Sequence, residues 1–314
     1  MSKRLSVINF KGGVGKTALA LHLGCFLAAR RGKLAKVLFV DVDHQSSLSI
    51  VVLDPQPWEE AIAAETTINR VFSAFTTQGA ALPGLDAIVK TPFGTKFYPT
   101  IDIAPAQLEL DDTEIELGST TIGNPLVSEW RKRTLLSRWL SESGADDEYD
   151  FIVFDCPPAT KIVSQNAIAA SHAYVVPVIP DPVSTRGVTH LINLIESRID
   201  ARMKLFAATV PAAEIPPAFV PDTKLAGIVI TMAQTHGPAF SGYINEHSTQ
   251  MAALRRQWGG AVLENIIERA AGVAESLGAG WPVYNRWNNA NVANRNLPKM
   301  YDSVCSELVT RLGW

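Results

Sequence analysis

The chain alternates short, continuous apolar runs with longer stretches in which apolar residues recur every three or four positions. Leu5–Phe10 is the first run, and glycines end it sharply. From Lys16 to Arg31, Leu19, Leu23, Phe26 and Leu27 recur at helical spacing, and Gly32 is placed to close that helix as its C-cap. Ala35–Val40 is a second run, ending at Asp41. Strand, loop, helix and strand within about forty residues make one βαβ unit with parallel strands. The same grammar returns at Tyr149–Phe154, which ends at Asp155, and at Ala173–Ile179, followed by a helical stretch from Ser184 to about Ala201. Leu225–Thr231 is a further strand, with helical patterns at Ser241–Trp258 and Lys299–Leu312.

Strands that are apolar throughout are covered on both faces. The predicted fold is therefore α/β, with a doubly wound, mainly parallel sheet and helices on both sides. Asp54–Gly123 mixes proline, threonine and short apolar pieces, with one strand predicted at Ile101–Ala104. Val210–Asp222 carries four prolines (Pro211, Pro216, Pro217 and Pro221) and reads as a surface loop. Because the αβ pattern resumes after each, 1–314 is expected to be a single domain with insertions near 54–123 and 206–224.

Hydrophobic residues are 47% of the chain and charged residues 19%, enough for a sizeable core. The net charge of −3 lacks the strongly basic footprint of a dedicated nucleic-acid binder. Three scattered cysteines, Cys25, Cys156 and Cys305, form neither a disulfide framework nor a zinc motif and fit a reducing compartment. No window has the length of a membrane span, and no apolar leader precedes the glycines, so a cytoplasmic location is expected. In the last helical pattern Met300, Val304, Leu308 and Leu312 predict a core-facing helix rather than a membrane anchor.

The chemistry is concentrated in Lys11-Gly12-Gly13-Val14-Gly15-Lys16-Thr17, between a strand and a helix. Glycines let the backbone wrap a polyphosphate, successive N–H groups form an anion nest, and the helix N-terminus adds its dipole. Lys16 is expected at the β- and γ-phosphates and the Thr17 hydroxyl on Mg²⁺, with Ala18 completing the cradle. Asp155 ends an apolar strand at the sheet's carboxyl edge, where it can hold the metal's water shell; Asp41 occupies a comparable strand end and is a candidate to share that task. ATP and Mg²⁺ are the expected cofactors.

The ordinary loop, GxxxxGK[ST], wants glycine where this chain has Phe10, and the chain carries an additional lysine, Lys11. Asp41-Val42-Asp43-His44-Gln45 is similar to a DxDPQ segment with His44 in place of proline, and Phe151–Pro158 ends in Asp-Cys-Pro-Pro. Together these features resemble the ParA/MinD family of deviant phosphate-loop ATPases, most like the ParA partition ATPases. The resemblance implies ATP hydrolysis by a homodimer that forms on ATP, with Lys11 reaching the partner's nucleotide, Lys16 on its own and Asp43 orienting water. It further implies association with nonspecific nucleoid DNA, a ParB-like or other stimulating adaptor, and a plasmid, chromosome or other cargo. Arg255 and Arg256 near a helix end, with Arg286, Arg295 and Lys299, are the candidate phosphate contacts for DNA. The arginine that the family associates with DNA aligns with Gly272, and Ile266–Arg269 aligns with its base-side IIPR segment, with Glu268 in place of proline. Alternatives are a MinD-like regulator of a membrane or protein assembly, and a metabolic enzyme sharing the loop.

Overall fold

The computed structural model describes residues 1–29, 35–77, 80–87, 89–90, 98–236, 242–284 and 296–314, with backbone only at Ala87, Val89 and Lys90. The expected C-cap at Gly32, the start of the predicted helix at Ser241, and Arg286 and Arg295 lie outside the described residues.

Seven strands form one sheet: β1 (Lys3–Val7), β2 (Val37–Asp41), β3 (Val89–Lys90), β4 (Ile101–Ala104), β5 (Phe151–Asp155), β6 (Ala173–Val178) and β7 (Lys224–Ile230). Their order is β3-β4-β2-β5-β1-β6-β7. Only the two-residue β3 runs antiparallel to its neighbour; the other six are parallel, as the continuous apolar runs predicted. Alternate residues feed two cores. Leu38, Val40, Ile152 and Phe154 face one side, packed with Trp130, Trp139 and Leu191. Leu5, Val7, Phe39 and Val153 face the other, under Leu19, Leu23, Val304 and Leu308.

The helix Lys16–Ala29 follows the glycine loop and lies close on the sheet. A Cβ at Gly24 would stand 2.2 Å from the Phe39 ring, so glycine is required at this approach. The last helix, Leu297–Leu312, buries Tyr301, Val304, Cys305 and Leu308, so its apolar stripe is core-facing as expected. No helix among the described residues is long and apolar enough to cross a membrane.

The stretch 54–123 holds more structure than its composition predicted. Helices Pro55–Ala63, Asn69–Thr76 and Leu110–Ser119 accompany the expected strand β4. Pro55 and Pro57 occupy a first helical turn, where a missing N–H costs nothing. Val210–Asp222 contains one short helical turn, Ala212–Glu214, and is otherwise irregular. The helix predicted from Ser184 begins at Pro182 and, after Leu194, continues through a π segment (Ile195–Asp200) and on to Thr209.

Candidate nucleotide site

Sheet register brings the strand-end carboxylates together. β5 lies between β1 and β2, so Val7 is level with Asp155 and Asp155 with Asp41. The chain leaves β1 into the glycine loop directly beside both acids. Gly13 and Gly15 adopt φ of +70° and +82°, which side chains with a Cβ rarely adopt. Distant residues pin the loop. Asn9 accepts from Lys11 N at 3.0 Å and donates to Pro177 O at 2.6 Å, and Thr231 Oγ1 donates to Val14 O at 2.8 Å.

Thr17, in the first helical turn, donates its hydroxyl to Asp155 Oδ2 at 2.7 Å. Asp155 Oδ1 is buried with no hydrogen-bond partner. A buried acceptor left unsatisfied costs on the order of 1–3 kcal/mol, and a water on a hard divalent cation beside Thr17 would donate to it. The residues therefore fit Mg²⁺. Burial, reinforced by Asp41, pushes the Asp155 carboxyl well above the usual range.

Asp41 is differently employed. Its Oδ1 accepts from Asp43 N at 3.1 Å, and its Oδ2 accepts from Ser49 N at 2.9 Å and Ser49 Oγ at 2.7 Å. Burial raises it to about 7 despite those bonds. Ser49 was not singled out by sequence, and it ties the helix Ser47–Leu53 to the end of β2. Asp43 lines the cleft and accepts from Gln45 N at 3.0 Å.

The Lys16 ammonium is buried and bonds Lys11 O at 3.3 Å, leaving donors for a phosphate. Burial lowers its pKa, opposed by Asp155 and Asp43. A cleft of about 910 Å³ opens over the loop, and Met232, Ile267, Glu268, Arg269 and Val273 form a further part of its lining, large enough for a base and ribose.

Lys11 does not line this cleft. Its ammonium bonds Asp181 Oδ2 at 2.7 Å and Ser184 Oγ at 3.0 Å. Asp181 is also the N-cap of the helix Pro182–Leu194, its Oδ1 accepting from Val183 N and Ser184 N. Burial by itself raises this carboxyl; the Lys11 and Ser184 donors outweigh it and hold it at about 2. The sequence Asp-Pro-Val-Ser carries a helix-start signal that marks Asp181 as a cap, though not as the partner of Lys11.

Arg255 and Arg256 fall in the last turn of the helix Asn245–Trp258. Arg255 is paired with Glu264 at 3.0 Å, whereas Arg256 is exposed. Gly272 is buried in the first turn of the helix Ala271–Gly278.

A glycine loop from strand to helix, a hydroxyl–carboxylate pair after it and a parallel sheet beneath define a P-loop nucleotide-binding protein. Residues 2–206 match the family model described as an AAA domain, and the chain belongs to that family as a ParA/MinD-type P-loop ATPase. It is similar to the chromosome partitioning protein ParA of Caulobacter vibrioides, 29% identical over 280 residues, covering 89% of this chain and 85% of that protein. It is also similar to the chromosome-partitioning ATPase Soj of Treponema pallidum, 26% identical over 100% of this chain and 99% of the relative. The fold is shared with a McdA variant of Cyanothece solved in complex with ATP, with a TM-score of 0.69 at 17% identity over 99% of this chain and 96% of that one.

Proposed function

We propose that this chain is a partition or positioning ATPase: two copies close on ATP, the closed dimer associates with nonspecific DNA, and hydrolysis stimulated by a ParB-like or other adaptor releases it while a cargo is moved or spaced. The observation that carries this reading is a division of labour between two lysines. Lys16 is buried inside its own cleft, while Lys11, five residues earlier in the same loop, stays outside it and partly exposed. A cation on the loop that does not serve its own phosphates is available to another subunit's.

Mg²⁺, when bound, neutralises phosphate charge; Thr17 and Asp155 are the residues that would hold it, while Asp41 is engaged by Ser49. Lys16 anchors the β- and γ-phosphates, and Lys11 of the opposing subunit offsets charge that develops on the γ-phosphoryl group. Asp43 at the cleft wall orients the attacking water. Arg256, with Arg255 once freed from Glu264, contributes phosphate contacts to DNA, which places the ATP state on the nucleoid.

Lys11→Ala tests the reading. Nucleotide binding is expected to persist in isothermal titration, while sedimentation with a non-hydrolysable ATP analogue shows no dimer and turnover falls to background. An ATP-dependent dimer in this variant refutes the cross-subunit role. DNA binding is checked separately, by retention of DNA at low and high salt with Arg255 and Arg256 replaced by alanine.

A further inference from the structure

Seven large apolar side chains stand exposed among the described residues, and four of them, Leu108, Ile115, Ile122 and Leu126, come from one short stretch of chain. Leu108, in the turn that leads into the helix Leu110–Ser119, and Ile115 within it are 61% and 63% exposed. The opposite side of that helix is buried through Leu110, Thr113, Glu114 and Leu117. Glu109, Asp112 and Glu116 are exposed among the apolar residues. From Leu108 to Leu126 there are five acidic residues (Glu109, Asp111, Asp112, Glu114 and Glu116) and no lysine, arginine or histidine.

We propose that this apolar, acid-rimmed face of the helix Leu110–Ser119 and the segment after it docks a basic amphipathic helix of a partner protein. Charge selects the occupant. Nucleic acid and anionic lipid are repelled by the exposed carboxylates of Glu109, Asp112 and Glu116. A second copy meeting this face about a two-fold axis would set Glu109, Asp112 and Glu116 against their own counterparts, because a two-fold contact uses the same patch on both sides. A helix with leucine-type residues on one stripe and lysine or arginine beside them satisfies both halves of the surface.

The face is wired to the nucleotide site. Glu114 Oε1 accepts from Val163 N at 2.7 Å, at the start of the helix that follows the Asp155–Pro158 segment. Lys161 Nζ reaches Asp111 at 3.3 Å and Glu114 at 3.9 Å. Burial raises the Glu114 carboxyl, and its bonds to Val163 and Lys161 pull the other way. A basic partner competes with Lys161 for Asp111, so its arrival loosens the chain between Asp155 and Val163. This gives a chemistry to the stimulating partner, and its effect on turnover rests on the ATPase reading; the docking itself does not.

The test uses a fluorescent leucine/lysine amphipathic peptide of about eighteen residues, five helical turns, and the same composition in scrambled order. The full chain is compared with Leu108→Ser/Ile115→Ser and with Asp112→Lys/Glu116→Lys, all at exposed positions. Anisotropy is expected to show saturable binding of the amphipathic peptide, about tenfold or more weaker to each variant and weaker as salt is raised from about 50 to about 500 mM. ATP turnover is expected to change with peptide in the parent chain only. Equal binding to the variants, or equal binding of the scrambled peptide, overturns the proposal. Self-association that Leu108→Ser/Ile115→Ser abolishes also overturns it, since a second copy then covers the face. Basal turnover without peptide, measured on all three proteins, reports on the ATPase reading separately.

Discussion

In the proposed dimer Lys11 cannot serve a second subunit while Asp181 holds it, so their contact would set a threshold for dimer formation. Asp181→Asn isolates that threshold. Asparagine keeps the Oδ1 acceptor that caps the helix Pro182–Leu194 but removes the charge that attracts the ammonium. The carboxyl is held at about 2 against an ordinary value of 3.8. At about 1.4 kcal/mol per pKa unit the whole shift corresponds to about 2.5 kcal/mol. Part of it belongs to Ser184, and the Lys11 and Asp181 side chains are 39% and 23% exposed, so screening reduces the ion pair's share to about 1 kcal/mol. One lysine released per subunit then favours closure about fivefold, and two per dimer up to about thirtyfold. Sedimentation velocity across a protein concentration series with a non-hydrolysable ATP analogue reads this directly. The variant's dimerisation constant is expected to tighten by between about five- and about thirtyfold, with the advantage shrinking as salt rises. A variant that dimerises no better than the parent, or worse, shows that Lys11 leaves Asp181 at no cost or never leaves it.

Lys16→Ala is expected to weaken nucleotide binding by on the order of a hundredfold or more, because the triphosphate loses a buried charge-assisted donor; retained affinity in isothermal titration contradicts the loop assignment. Asp43→Ala should leave nucleotide binding intact and slow phosphate release assays by on the order of a hundredfold, trapping the ATP dimer, whereas unchanged turnover removes Asp43 from water positioning. His22 is fully buried, stacked on Tyr301, with Nε2 accepting from Val283 N; burial depresses it to about 4, only partly opposed by the Ala18 carbonyl. Its folded pKa lies below the unfolded value of 6.5, so the stability it contributes is complete above pH 6.5 and is lost as the pH falls towards 4, by about 3 kcal/mol in all. Urea unfolding at pH 7 and near pH 4 should show a smaller loss for His22→Gln than for the parent; equal losses put the acid sensitivity elsewhere.

The sheet was legible because its strands are buried on both faces and so read as unbroken apolar runs, as in Val37-Leu38-Phe39-Val40. The helices between Asp54 and Gly123 were not, since prolines that break a helix in its interior are welcome in its first turn, and composition does not reveal position. The phosphate loop was legible because its donors are consecutive in the chain. What fixes it was not: Thr231 lies 217 residues from Val14 and Asp181 lies 170 from Lys11, and such pairings exist only after β1, β6 and β7 have assembled.

Asp41 and Asp155 look equivalent in sequence, each ending an apolar strand, and in the sheet they are register partners. Their hydrogen bonds separate them. Both oxygens of Asp41 are occupied by Ser49 and by the backbone of Asp43, and Ser49 Oγ in turn accepts from Ala106 N at 2.8 Å. Asp41 thus fastens the end of β2 to the segment after β4 and fixes the turn that presents Asp43. Asp155 has one oxygen on Thr17 and one without a partner. Asp43 and Asp155 act on the buried ammonium of Lys16, and Asp41 acts on Asp155, a gathering of carboxyls whose full ionisation burial makes costly. A divalent cation held beside Thr17 would offset charge on these carboxyls, and a water bound to it would donate to the unpartnered oxygen of Asp155. Nucleotide and metal would therefore complete an arrangement the strands have already biased, and under the proposed function the loop and these acids act together rather than as separable parts.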